Sequence, residues 1–118
     1  MPGKVLLAED DHTMVELLQT LLRMEGFEVS TLDVNADLVG ELQRVKPAAL
    51  FMDVHLGSLS GIEILDAIRT IPEFATLKVI MTSGMDLREQ CMKHGANHFI
   101  LKPFMPDDLL TLLEDPLR

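Results

Sequence analysis

At 118 residues, with 47% hydrophobic and 25% charged residues, the chain has the size and balance of one packed domain and leaves little room for a second. A formal charge of −9 without any basic run argues against strong binding to nucleic acid, and the longest apolar runs fall well short of the roughly 20 residues that span a bilayer. The lone Cys91 rules out an internal disulfide and Met1-Pro2-Gly3-Lys4 does not open a secretory signal, so a reducing, cytoplasmic setting fits best.

Short apolar runs alternate with amphipathic stretches along the whole chain. Val5-Leu6-Leu7-Ala8 is continuous rather than alternating, as a strand covered on both faces should be, and the acidic run Glu9-Asp10-Asp11 follows at once. Met14, Leu17, Leu18, Leu21 and Leu22 recur at helical spacing until Gly26, a residue suited to the position just past a helix. Phe27 to Thr31 reads as the second strand, and Asn35 to Lys46 as a helix capped by Asn35 and stopped by Pro47. Ala48 to Met52 is the third strand. Ser60 with Glu63 forms a capping-box pattern for a helix through Ile71 that buries Ile62, Leu65 and Ile68. Leu77 to Met81 is the fourth strand, Asp86 with Glu89 predicts a second capping box for a helix ending near Gly95, and His98 to Leu101 is the fifth strand. Pro106 opens the last helix, through Leu113, with Asp107 and Asp108 where the helix dipole favours them.

Five strands alternating with five helices predict a doubly wound α/β domain, because parallel strands need crossover connections that cover both faces of the sheet. Ligands of such sheets bind beyond the carboxyl ends of the strands, and here those ends carry Glu9-Asp10, Asp53, Ser83 and Lys102. Taken singly, the acids would more often be a solvated turn or a helix cap, and Ser83 a loop hydroxyl bonding its own backbone. Together they crowd carboxylates that repel unless a cation offsets them, and an all-oxygen site suits a hard ion such as Mg²⁺, or Mn²⁺. Lys102 adds a positive charge and Ser83 a hydroxyl donor, which completes a phosphoryl-binding constellation.

The segments Val5-Leu6-Leu7-Ala8-Glu9-Asp10-Asp11, Met52-Asp53, Ser60-Gly61, Val79-Ile80-Met81-Thr82-Ser83-Gly84 and Lys102-Pro103-Phe104 resemble, in order and spacing, the receiver-domain signature of two-component response regulators. The resemblance covers nearly the whole chain and implies a single receiver domain over residues 1–118, either complete or cut from a longer regulator, with the flavodoxin-like (CheY-like) strand order 2-1-3-4-5. It implies that Asp53 accepts a phosphoryl group from a histidine kinase or a histidine phosphotransfer protein. It also implies that Glu9, Asp10, Asp53 and the backbone carbonyl of His55 hold the metal, that Ser83 and Phe99 are the switch pair, and that a cis Lys102-Pro103 bond aims the lysine inward. The readout would be the surface of helix four, strand five and helix five, serving an output partner that the residues do not identify or a second copy paired on phosphorylation. His55 and Met85 would set the lifetime of the acyl phosphate.

Departures from the family pattern are Gly57 where Pro is common, which predicts a more mobile loop, and Phe99 where Tyr is common, which removes a hydroxyl. His12, His55, His94 and His98 are too scattered for a transition-metal site. Three other classes compete. An aspartyl-phosphate hydrolase would carry an acid/base Asp where this chain has His55. A flavin module would need a Ser/Thr/Gly-rich loop after the first strand, where acids would repel phosphate. A phosphorylation-independent adaptor would not need the retained acidic and basic positions.

Overall fold

The computed structural model describes residues 3–32 and 37–114, and within them every continuous apolar run has become a strand. In chain order the elements are β1 (Lys4–Ala8), α1 (His12–Met24), β2 (Glu28–Thr31), α2 (Leu38–Val45), β3 (Ala49–Asp53), the two-residue strands β4 (His55–Leu56) and β5 (Leu59–Ser60), and α3 (Gly61–Arg69). A 3₁₀ turn at Pro72–Phe74 then leads to β6 (Lys78–Ser83), α4 (Arg88–Lys93), β7 (His98–Leu101) and α5 (Pro106–Glu114). Five strands form one parallel sheet in the order β2-β1-β3-β6-β7, which is the order 2-1-3-4-5 once the small antiparallel β4–β5 hairpin is set aside.

Side chains one apart along a strand point to opposite faces, so each apolar strand feeds two cores. Leu6, Leu50, Met52, Val79 and Met81 pack with Leu42, Leu65, Ile68 and Cys91, which places α2, α3 and α4 on one face. Val5, Leu7, Phe51 and Ile80 pack with Val15, Leu18, Leu22 and Leu109, which places α1 and α5 on the other. Every residue of β3 and β6 is buried, and each fully buried Leu or Ile contributes about 1.5–3 kcal/mol. Cys91 is fully buried in α4, and burial pushes its thiol pKa up.

The helix starts show which local signals hold. Asp11 caps α1 by accepting from the Met14 amide at 3.2 Å, and Ser60 caps α3 by accepting from the Glu63 amide at 3.3 Å. The cap expected at Asn35 lies outside the described residues, and α2 begins at Leu38. Its end is sharper than periodicity alone requires, because Lys46 adopts a left-handed φ of 52° just before Pro47. The Asp86–Glu89 capping box does not form. Asp86 Oδ1 accepts instead from the Arg88 amide at 3.3 Å, a turn closed two residues on, so that Leu87 becomes the N-cap residue and α4 starts at Arg88. Among the described residues no helix is long and apolar enough to cross a membrane.

A half-buried charge fixes the α3–α4 side of the sheet. Arg69 donates to the Gly95 carbonyl through Nε (3.0 Å) and Nη2 (2.7 Å), to the Phe74 carbonyl through Nη1 (2.9 Å) and to Asn97 Oδ1 through Nη2 (3.0 Å). Asn97 Oδ1 also accepts from the Val79 amide at 2.7 Å, which ties the knot to the start of β6.

Candidate functional site

Register brings the strand ends level: Ala8 pairs with Met52, Asp53 with Thr82, and Ser83 with Leu101. The residues that end or follow these strands therefore meet at one edge of the sheet. Glu9 is only 4% exposed, yet it is ionisable. Its Oε1 accepts from the amides of Asp10 (3.1 Å) and Asp11 (3.2 Å), while Oε2 lies 3.0 Å from Lys102 Nζ as an ion pair. Oε2 is nevertheless buried without a hydrogen bond. Asp53 Oδ1 accepts from the His55 amide at 2.8 Å, and Oδ2 accepts from Lys102 Nζ at 2.6 Å. Asp10 is exposed, and its Oδ2 accepts from the Gly57 amide at 3.1 Å.

Burial pushes the Glu9 carboxyl up to about 7; Lys102 opposes this rise and the Asp53 charge reinforces it. Burial works against the Lys102 ammonium as well, but Asp53 and Glu9 hold its pKa above the ordinary lysine value. One oxygen each from Glu9, Asp10 and Asp53 lie within 4.8 Å of one another. Three carboxylates facing one ammonium, with a buried oxygen lacking a hydrogen bond, make a donor set that fits a hard divalent cation.

Ser83 is 1% exposed at the end of β6, and its Oγ accepts from the Met85 amide at 3.1 Å. Its neighbour Thr82 is turned away, donating to the Ile100 carbonyl at 2.7 Å, so the hydroxyl free for chemistry belongs to Ser83. Lys102 is placed by its own amide, which donates to the Ser83 carbonyl at 2.9 Å, and the Lys102–Pro103 peptide is cis. Phe99 is 3% exposed, with the Arg88 guanidinium 5.4 Å from its ring centroid and Arg88 Nη1 donating to its carbonyl at 3.2 Å. His55 and Met85 are both exposed beside the site. His55 reaches the cluster through its amide.

Two glycines do work that their positions in the sequence did not reveal. Gly61 follows the Ser60 cap, and a Cβ there would stand 2.5 Å from the Asp53 carbonyl oxygen and 2.9 Å from Val54 Cα. Only hydrogen fits between α3 and the strand that carries Asp53. Gly57 has φ +62° at the tip of the β4–β5 hairpin, a paired turn whose amide reaches Asp10.

A family model described as the response regulator receiver domain matches residues 5–114. The phosphate regulon transcriptional regulatory protein PhoB of Rhizobium meliloti is 31% identical over 121 residues, a match covering 100% of this chain and 53% of that protein. The chain spans about half the length, or less, of the curated relatives it matches. A solved structure of a response regulator from Chloroflexus aurantiacus is 29% identical with a TM-score of 0.86, covering 98% of this chain and 100% of that one. The receiver domain of a sensor histidine kinase from Pseudomonas aeruginosa, solved with a magnesium ion coordinated in its active-site cleft, is 26% identical with a TM-score of 0.80, covering 97% of this chain and 96% of that one.

Proposed function

Because the chain belongs to the response regulator receiver domain family, we propose that it is the phosphoacceptor switch of a two-component relay and that Asp53 is its nucleophile. The observation that carries this reading is the position of Lys102 Nζ, 2.6 Å from Asp53 Oδ2 and 3.0 Å from Glu9 Oε2, beside three carboxylates at one sheet edge. Asp53 attacks the phosphorus of a phosphohistidine on a histidine kinase or phosphotransfer protein. An O–P bond forms as the N–P bond breaks, and the electron pair leaves with the imidazole nitrogen.

Glu9, Asp10 and Asp53, with the His55 carbonyl, would hold Mg²⁺ or Mn²⁺, which when bound offsets charge on the phosphoryl oxygens and the carboxylates. Lys102 turns its ammonium from Asp53 toward the new phosphoryl oxygens. Ser83 Oγ accepts from the Met85 amide, so its proton is free to donate to that group. The movement of Ser83 opens room for Phe99, and the α4–β7–α5 surface changes shape for an output partner or a second copy. Exposed His55 and Met85 control how water reaches the acyl phosphate. The unit works in the cytoplasm as one receiver domain, alone or joined to an output domain.

Intact mass after incubation with a small-molecule phosphodonor tests this reading. A single phosphoryl adduct that requires Mg²⁺ and is lost in Asp53→Asn is the expected result. No adduct under any condition would leave a phosphorylation-independent adaptor, and steady turnover of the donor without an adduct would favour a hydrolase.

A further inference from the structure

Each carboxylate of the acidic cluster is held by a backbone N–H. Glu9 takes the amides of Asp10 and Asp11, and Asp53 takes the amide of His55, contacts that reach only one or two residues along the chain. They form as soon as the strands end. Asp10 differs, because the amide it takes belongs to Gly57, 47 residues away, and that bond exists only when the β4–β5 hairpin is closed. Asp10 is also the exposed member of the cluster, whereas Glu9 and Asp53 are buried and face Lys102. Its side chain has the most rotameric freedom to lose, and among the described residues the Gly57 amide is the contact its carboxylate makes.

We propose that Gly57 is a positioning residue for the cation site: its N–H fixes Asp10 Oδ2 and leaves Oδ1 aimed at the ion. The inference rests on the reading that Glu9, Asp10 and Asp53 hold a divalent cation. Hydrogen bonds that orient ligating carboxylates are worth about 10–100-fold in metal affinity. Here that contribution comes from a turn with no metal-binding side chain of its own, and it couples cation affinity to the closure of a hairpin.

The left-handed φ of +62° at Gly57 is one that a D-residue adopts, so the amide hydrogen can be replaced while this backbone dihedral is kept. D-Proline is held near about +65°, the mirror image of the ordinary proline value, and lacks the N–H; D-alanine accepts the same backbone and keeps it. The full chain is made by total synthesis with Gly57→D-Pro or Gly57→D-Ala, and Mn²⁺ is titrated calorimetrically with no phosphodonor present. Circular dichroism reports the fold of each variant.

Affinity about 10-fold weaker for D-Pro, with D-Ala within about twofold of the parent, is the expected result. Equal affinities for parent and D-Pro would overturn the positioning role while the cation site stands. Equal losses in D-Pro and D-Ala would overturn it too, because the N–H would not be the cause. A parent chain that binds no Mn²⁺ would overturn the cation reading itself, and this inference with it.

Discussion

Two regions of this domain draw charge away from solvent, and they do so in opposite ways. Around Arg69 a single cation meets only neutral acceptors: the Gly95 and Phe74 carbonyls and Asn97 Oδ1 take its N–H groups at 2.7–3.0 Å. Burial lowers the arginine pKa, but neutral acceptors meet each of its three nitrogens. At the carboxyl edge of the sheet three carboxylates face one ammonium, and Glu9 Oε2 is buried without a hydrogen bond. The first arrangement is closed and stabilises the fold. The second is open, and its crowded negative charge is what a divalent cation would offset.

The contrast is sharpest where the closed knot is opened. Arg69→Met should destabilise the domain by about 2–3 kcal/mol, because four part-buried hydrogen bonds are lost and the Gly95 carbonyl is left without its donors, while leaving the phosphoryl adduct on Asp53 unchanged. Urea denaturation and intact mass read the two effects separately, and a loss under about 1 kcal/mol would show that the knot is not the stabilising feature argued above.

At the open site the effect is a slope with pH. Glu9 sits at about 7 in the fold against an ordinary 4.5, so the native state binds more protons than the unfolded chain. Stability from this group is therefore fully present below pH 4.5, falls as pH rises toward about 7, and is level above that. Between pH 5 and 8 the loss should be on the order of 2 kcal/mol. Glu9→Gln should remove this slope, and urea midpoints across that range that fall equally in parent and variant would refute the assignment. The smallest effect belongs to the exposed His94–Asp66 contact at 2.7 Å. Asp66→Asn should shift stability by less than about 0.5 kcal/mol, with the shift shrinking further in salt.

Much of this was legible in the sequence because it is written locally. Continuous apolar runs marked β1, β3, β6 and β7, since a strand covered on both faces leaves no polar alternation to confuse with a helix, whereas the edge strand β2, with the sequence EVST, carries no such run. The converging acids, Ser83 and Lys102 followed from where those strands end. What was not legible depends on backbone geometry across distance. Two-residue strands such as β4 and β5 have no periodicity to detect, and the Gly57 amide meets Asp10 only through tertiary folding. The Asp86–Glu89 pattern failed because an aspartate two residues before an amide can close a turn as readily as it can cap a helix. Ser60-Gly61 stood among the segments that carry the resemblance, but only the 2.5 Å approach of a Cβ to the Asp53 carbonyl shows why glycine stands at 61.

Cys91 gives the molecule a built-in clock. Its thiol is the single cysteine of the chain, fully buried on the inner side of α4, with burial holding its pKa above the ordinary value. A thiol-reactive reagent can reach it only when α4 lifts off the sheet or the domain unfolds, so at saturating reagent, where reaction outpaces reclosing, labelling measures the frequency of those openings. Since α4 bears both Arg88, which covers Phe99, and the buried sulfur, one exchange rate would register how firmly that helix is seated before and after Asp53 is modified.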